Sequence, residues 1–289
     1  MKKRIMKWYD KYLLIFEKPF DSIPSNIIEE IQGNIKALNS ETPIASVVVI
    51  AYNEEKRLPS CLWSLSSNKC KYPVEIIGVD NNSSDRTPEV YSTLGVRFFR
   101  EGRKGPGYAR NRGLSEAKGK ILICIDSDTI YPEKYIEIMI ESFNKPGVVA
   151  VSSLYSFIPN SQFPVFKLVF YELMRDIHIF FLSFKSPERC IRGSVFAHNT
   201  SLGRKIGCRV NIKRGEDGSL AYALKDFGKI RFIRNRKARP VTSTSAFKAD
   251  GNIYNAFMNR LMYALRGFKK YFVKTRGELK DQVSNIIKD

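Results

Sequence analysis

Between Ala45 and Ser152, apolar runs of strand length alternate with stretches whose apolar residues recur every three or four positions. Ser46 to Ile50 is a β-branched run that opens into Ala51, Tyr52, Asn53 and Glu54, and Leu58, Cys61, Leu62 and Leu65 then follow at helical spacing. Glu75 to Asp80 predicts a second strand, emptying into Asn81, Asn82, Ser83, Ser84 and Asp85. Thr87-Pro88 starts a helix with proline where its missing N–H goes unused. Val96 to Phe99 predicts a short strand, Tyr108 to about Ala117 a helix, and Ile121 to Asp126 another strand. A helix opening at Pro132 and a strand over Val148 to Ser152 complete the series. Such alternation, with near-continuous apolar strands, predicts an α/β fold with a mostly parallel sheet and helices on both faces. Ligands of such sheets bind beyond the carboxyl ends of the strands. The polar clusters Tyr52 to Glu54, Asp80 to Asn82 and Asp126 to Asp128 each follow a strand, and together they define one rim.

The last of these clusters carries the sharpest chemistry. Side chains at i and i+2 of an extended chain point the same way, so Asp126 and Asp128 can face one small volume together. Two like charges held that close call for a cation. Oxygen-only ligands suit Mg²⁺ or Mn²⁺, which keep several waters and share positions with substrate phosphates. The chain has 48 Lys plus Arg against 29 Asp plus Glu, a net charge of +19, which favours polyanionic partners without choosing among nucleic acid, an anionic membrane and phosphorylated substrates. Its five cysteines are odd in number and lack zinc-type spacing, so a reducing cytoplasm is expected. The basic opening at Met1 has a short, charge-broken apolar part, and no apolar run reaches the ~20 residues of a membrane span.

Three further stretches are amphipathic. Ile5, Trp8, Tyr9, Tyr12, Leu13 and Phe16 recur at helical spacing among lysines before Pro19 and Pro24, suiting a lipid interface or a helix packed on the domain. Phe163 to Phe184 predicts a helix whose apolar stripe is expected to face the core, the alternative being a lid or lipid-facing surface. Lys229 to Lys274 mixes cations with apolar residues and can hold anionic lipid.

Order and spacing of the motifs now give a resemblance. Residues 45–152 resemble the nucleotide-sugar-binding half of a family 2 glycosyltransferase of the GT-A fold. The family's opening strand and Y-N-E are matched by Val47 to Glu54, and its D-D-G-S-x-D-G-T by Asp80 to Thr87. Its A-R-N-x-G is matched by Ala109-Arg110-Asn111-Arg112-Gly113, and its D-x-D by Asp126-Ser127-Asp128. Cys190 to Ser194, with Gly193, resembles the acceptor-side segment, and Glu216-Asp217 the E-D segment at a helix start. Asn81-Asn82 stands in place of Asp-Gly, and Thr242 to Phe247 departs from the family's basic motif.

The resemblance implies a metal-dependent inverting glycosyltransferase that moves a sugar from a nucleotide-sugar, a UDP-sugar by expectation, to a hydroxyl of a glycan or lipid-linked acceptor in cell-envelope polysaccharide synthesis. It implies that Asp128 binds Mg²⁺ or Mn²⁺ with Asp126 in support. Ala51, Tyr52, Asn53, Glu54, Asp80, Arg110, Asp126 and Ser127 would hold the nucleotide-sugar, Asp217 would be the catalytic base, and Glu216 and Gly193 would support the acceptor side. The implied organisation is an amphipathic helical extension over 1–42, a catalytic domain over 43–248 divided at 152/153, and a basic amphipathic tail over 249–289, the whole peripheral on the cytoplasmic face of an anionic membrane. A rival, the haloacid-dehalogenase-like phosphatase with Asp126 as nucleophile, places its D-x-D on an early strand, whereas several strand–helix units precede this one. No base-reading or zinc motif supports nucleic acid as a partner.

Overall fold

The computed structural model describes residues 7–245. Helix α1 (Ser25–Leu38) leads to strand β1 (Ala45–Ala51), then α2 (Leu58–Ser66), β2 (Val74–Asp80), α3 (Thr87–Thr93) and β3 (Arg97–Arg100). Next come α4 (Pro106–Glu116), β4 (Ile121–Asp126), the short β5 (Thr129–Ile130), α5 (Tyr135–Glu141), β6 (Val148–Ser153) and β7 (Ser156–Phe157). The long α6 (Val165–Lys185), β8 (Phe196–Asn199), α7 (Thr200–Ile206), α8 (Glu216–Leu224), β9 (Lys229–Ile233) and β10 (Val241–Thr242) follow.

The main sheet has the order β3-β2-β1-β4-β8-β6-β9. β8 runs antiparallel to both of its neighbours, while β1, β2, β3 and β4 pair in parallel, as do β6 and β9. The sheet is therefore mostly parallel, as expected. A second, three-stranded sheet orders β5-β10-β7. Its consequence is local: β10 brings residues 241–245 alongside the D-x-D turn.

Alternation along β1 decides which helices cover which face. Val47 and Val49 join Ile31, Ile35, Leu58, Leu62 and Leu65 in one core, whereas Val48 joins Ala109, Leu114, Leu220 and Leu224 in the other. All of these are essentially out of solvent, and full burial of such a side chain is worth roughly 1.5–3 kcal/mol. Two apolar layers hold the sheet flat against α2 on one side and α4 and α8 on the other, so the strand ends meet at a fixed rim.

The N-terminal segment differs from the expected helix over its first aromatics. Tyr12–Leu14 is a single 3-10 turn, and the extension's helix is α1, which begins right after Pro24. Proline there is a start signal, because its fixed φ, here −57°, suits the residue before a helix. Of the two destinations open to this segment, Tyr9 and Tyr12 take the packed one, inside the core with Leu13 and Phe16 against it, while Trp8 stands exposed and Ile5 lies outside the described residues. Other boundaries shift less. The helix expected from Pro132 begins at Tyr135, and α4 starts at Pro106, two residues before its expected start.

The expected core stripe of α6 is overturned. Leu168, Tyr171 and Arg175 are the helix's buried positions, while Phe166, Phe170, Leu173, Ile177 and Phe184 stand exposed. Periodicity identifies an apolar face but not what covers it, and here the polar residues Glu172, Arg175 and Asp176 bond inward. The basic tail expected over 249–289 lies outside the described residues.

Candidate functional site

The rim is built where β1, β2 and β4 end. Parallel pairing in register sets Ala51 beside Asp80 and Ile50 beside Asp126, so the three polar clusters emerge together. The first two loops are then tied to each other. Asn81 donates its N–H to the Ala51 carbonyl at 2.8 Å, Asn53 donates its own to Ser83 Oγ at 2.9 Å, and Ser84 donates to Asn53 Oδ1 at 2.8 Å. Glu54 donates its backbone N–H to Thr87 Oγ1 at 2.8 Å, and Glu55 its own to Asp85 at 3.1 Å. Both Asn53 and Asn82 sit in the left-handed region, at φ 54° and 60°. Asparagine tolerates that conformation better than most residues, which accounts for Asn82 at a position where the resembled motif has glycine. Asn81 ties the loop onward, donating from Nδ2 to the Arg103 carbonyl and accepting the Gly105 N–H.

Asp80 is fully buried at the end of β2. Its Oδ1 accepts the Ser83 N–H at 3.3 Å and Arg100 Nε lies 3.5 Å from Oδ2, but no hydrogen-bond donor among the described residues meets Oδ2. An orphaned buried acceptor loses the solvation it had in water, so a ligand N–H aimed at it would be well received. Tyr52 stands half-exposed at the lip, and Ser127 is buried within the D-x-D turn.

Asp126 and Asp128 have different partners. Arg110, buried on α4, donates from Nη2 to Asp126 Oδ1 at 2.6 Å and from Nη1 to the Ile125 carbonyl at 3.1 Å. Its Nε lies 3.3 Å from Asp217 Oδ1, so one guanidinium bridges the D-x-D and the acidic pair at the start of α8. Gly193 makes room for that bridge: a Cβ there would lie 2.3 Å from Asp217 Oδ2 and 2.4 Å from Arg110 Nη2. Asp128, by contrast, receives hydroxyls. Ser243 and Ser245 donate to its Oδ2 at 2.5 and 3.0 Å, and Thr129 and Thr242 to its Oδ1 at 3.2 and 3.3 Å. The backbone fixes this, since Ser243 N–H also reaches the Asp128 carbonyl at 3.1 Å.

Burial pushes the Asp126 carboxyl up to about 6, against the pull of Arg110, although 39% of its side chain still meets solvent. Burial likewise raises Glu54 to about 8, with Arg57 opposing and Asp128 adding to the shift. Glu216 is raised to about 8 by burial and then by the neighbouring Asp217 charge. Carboxylates accumulate here faster than cations do.

The structure thus brings Arg110, Asp126, Asp217, Glu216 and Gly193 into one cluster, with Asp128 beside it and Glu54 close enough to feel its charge. Ala51, Asn53 and Asp80 form the adjoining rim. Residues missed at the sequence level are Thr242, Ser243 and Ser245, whose hydroxyl run stood out only as a departure from a basic motif. A cavity of about 790 Å³ opens beside them, lined by Asn53, Glu54, Arg57, Asn160, Thr244 and Ser245. Among the described residues no three His, Cys, Asp or Glu side chains gather as a metal cluster. The hard-oxygen set of Asp128, Asp126 and the surrounding hydroxyls nevertheless fits Mg²⁺ or Mn²⁺, which need only one or two carboxylates when water and phosphate fill the other positions.

Residues 46–199, more than half of the chain, match the model of glycosyl transferase family 2. EpsH of Bacillus subtilis (strain 168) is 35% identical over 107 residues, covering 35% of this chain and 31% of that protein. The matched stretches span 29–40% of the length of the curated relatives. Among solved structures, the mannosyltransferase PcManGT from Pyrobaculum calidifontis, in complex with GDP-Man and Mn²⁺, superimposes with a TM-score of 0.54 at 18% identity, over 94% of this chain and 78% of that one. TarS 1-349 from S. aureus, in complex with UDP-GlcNAc, gives 0.52 at 20% identity, over 69% of this chain and 58% of that one. At such identities the likeness is one of fold.

Proposed function

Since this chain belongs to glycosyl transferase family 2 and is a glycosyltransferase, we propose that it transfers a sugar from a nucleotide-sugar to an acceptor hydroxyl with inversion, using Mg²⁺ or Mn²⁺ held by Asp128. The observation that carries this reading is the contrast at the D-x-D: Asp126 is matched by Arg110, while the partners of Asp128 among the described residues are neutral hydroxyls, which bring no opposite charge. Such a charge at the mouth of a nucleotide rim suits a cation. When bound, that cation would neutralise the charge of the departing diphosphate.

The chain's own residues have separable tasks. Asp80 Oδ2 takes an N–H of the base, the stitched loops over Ala51 to Glu54 hold the nucleoside, and Ser127 and Asp126 line the path to the diphosphate. Arg110 holds Asp126 and Asp217 at a fixed separation, with Gly193 leaving it room. Asp217 accepts the proton of the acceptor hydroxyl as that oxygen bonds to the anomeric carbon. The bond from that carbon to the diphosphate breaks with its electron pair, and the nucleoside diphosphate leaves from the opposite face. Burial and the neighbouring Asp217 raise the Glu216 carboxyl, which favours its protonated form beside the proposed base. A UDP-sugar is the expected donor, and the acceptor a glycan or a lipid-linked sugar. The phosphatase alternative is set aside by the family match over residues 46–199, which includes the D-x-D.

Calorimetry with UDP-sugars and GDP-sugars, with Mn²⁺ and with EDTA, tests the metal assignment. Wild-type affinity should fall at least tenfold in EDTA, and Asp128→Ala should remove the difference. Equal wild-type affinity in both conditions would sink it.

A further inference from the structure

Helix α6 carries the largest feature that the transfer site does not use. Its 21 residues extend about 30 Å at 1.5 Å per residue. Along one side run Phe166, Phe170, Leu173, Ile177, Phe181 and Phe184, the first and last of them 70% and 68% exposed. Four phenylalanines about half exposed or more present on the order of 500 Å² of apolar surface, as large as the largest patch on a typical monomer and confined to one helix. Scattered exposed leucines need no explanation, but a continuous stripe does.

The charges around it indicate what covers it. Both acids of α6 are turned inward: Glu172 accepts from Arg239 at 3.0 Å and from the Phe157 N–H at 2.7 Å, and Asp176 accepts from Arg239 at 2.6 Å and from Arg175. The borders of the stripe are basic. Lys167 is exposed near its start and Lys185 and Arg189 at its end, with the half-buried Glu188 between those two. Arg234 lies against the rings of Phe180 and Phe184, at 4.8 and 5.2 Å. An apolar stripe edged by cations, with its acids withdrawn, matches a lipid interface whose headgroups are negative. No helix among the described residues is long and apolar enough to cross a membrane, so the helix would lie in the surface rather than span it.

We infer that α6 docks in the plane of an anionic bilayer, inserting its phenylalanine stripe among the lipid chains. The helix reaches the catalytic rim through few links. Glu172 holds β7 by the Phe157 N–H and Ser156 Oγ, β7 pairs with β10, and β10 runs into Ser243 on Asp128. Docking therefore sets the rim beside the membrane surface, where a lipid-linked acceptor is presented. That consequence rests on the proposed transfer; the docking does not.

Flotation of the full chain with phosphatidylcholine vesicles, with and without phosphatidylglycerol, tests the inference. Wild type should float with the anionic vesicles. Phe166→Gln/Phe170→Gln/Leu173→Gln should lower vesicle partition roughly tenfold or more, while nucleotide-sugar turnover in solution stays at the wild-type level. Those three side chains are exposed, so the variant keeps its core. Lys167→Gln/Arg189→Gln should weaken binding chiefly at low salt. The inference is overturned if the triple variant floats as wild type does, if wild type ignores anionic vesicles, or if sedimentation shows the stripe joining two copies of the chain instead.

Discussion

Asp126 and Asp128 are two residues apart, yet one faces a buried guanidinium and the other a set of hydroxyls. On the Asp126 side charge is matched by charge, at 2.6 Å to Arg110 and 3.3 Å from Arg110 to Asp217, and Arg110 and Asp217 are deep enough that losing either leaves a buried ion uncompensated. On the Asp128 side neutral groups donate hydrogen bonds that a ligand can replace. A pair of like residues is thereby split into a fixed structural half and an exchangeable half. The difference comes from which distant segment reaches each residue, α4 and α8 in one case and β10 in the other.

The comparison is broken most severely at Asp217. Asp217→Asn keeps the size of the side chain but takes no proton at neutral pH, so turnover should fall ~10²–10⁴-fold. Cation-dependent donor affinity should change little; near-normal transfer, or loss of donor binding as complete as in Asp128→Ala, would refute the role. Arg110→Met tests the charged side as a scaffold. It leaves the buried Asp217 without its cation, Asp126 being partly solvated, and denaturant unfolding should show a loss of about 3 kcal/mol, the low end for a broken buried pair. Retained stability would mean the bridge is dispensable.

A smaller effect separates the acidic pair by pH. Burial and the Asp217 charge raise the Glu216 carboxyl from an ordinary 4.5 to about 8, which favours an extra proton on the folded state across that window. Stability therefore falls as pH rises from about 4.5 to about 8, and Glu54 and Asp126, raised to about 8 and about 6, slope the same way. Glu216→Gln mimics the protonated form. It should flatten part of that fall, stabilising the chain at pH ~8 by on the order of 1–3 kcal/mol in thermal melts relative to its effect at pH ~5. A slope identical to wild type would contradict the assignment. Smallest is Ser243→Ala, which removes one hydroxyl whose hydrogen bond to Asp128 Oδ2 would have to give way to the proposed cation. A net hydrogen bond of about 0.5–1.5 kcal/mol translates to Mn²⁺ binding some 2- to 10-fold tighter by calorimetry. Weaker binding would instead make that hydroxyl part of the cation's support.

The proposed nucleotide half of the site was legible because its strands are near-continuous apolar runs that each deliver polar residues at the carboxyl end. β1, β2 and β4 lie within a residue of their expected spans. The other half was not legible for physical reasons. β8 is only four residues and contains His198 and Asn199, while β9, although it alternates cations with apolar residues at a strand's period, lies in a basic stretch that reads first for its charge. Ser243 and Ser245 act through contacts 115 and 117 residues distant in sequence, which local pattern does not encode. Arg110 was found by its motif and given a nucleotide-positioning role. Its span from Asp126 to Asp217 follows only once α4 and α8 are packed together.

The reversed strand β8 also imposes an order on synthesis. It occupies the flank of β4 opposite β1, and it begins 70 residues after Asp126. At about 5–20 residues per second, the ribosome needs roughly 4–14 s to make that stretch. During that interval the strand ending in the D-x-D has one neighbour in place, and its other flank is an open apolar edge of the kind that recruits foreign strands. The half of the molecule that reads most clearly from sequence is thus the half that waits longest for its partner, and chaperone dependence of this chain would be concentrated at that edge.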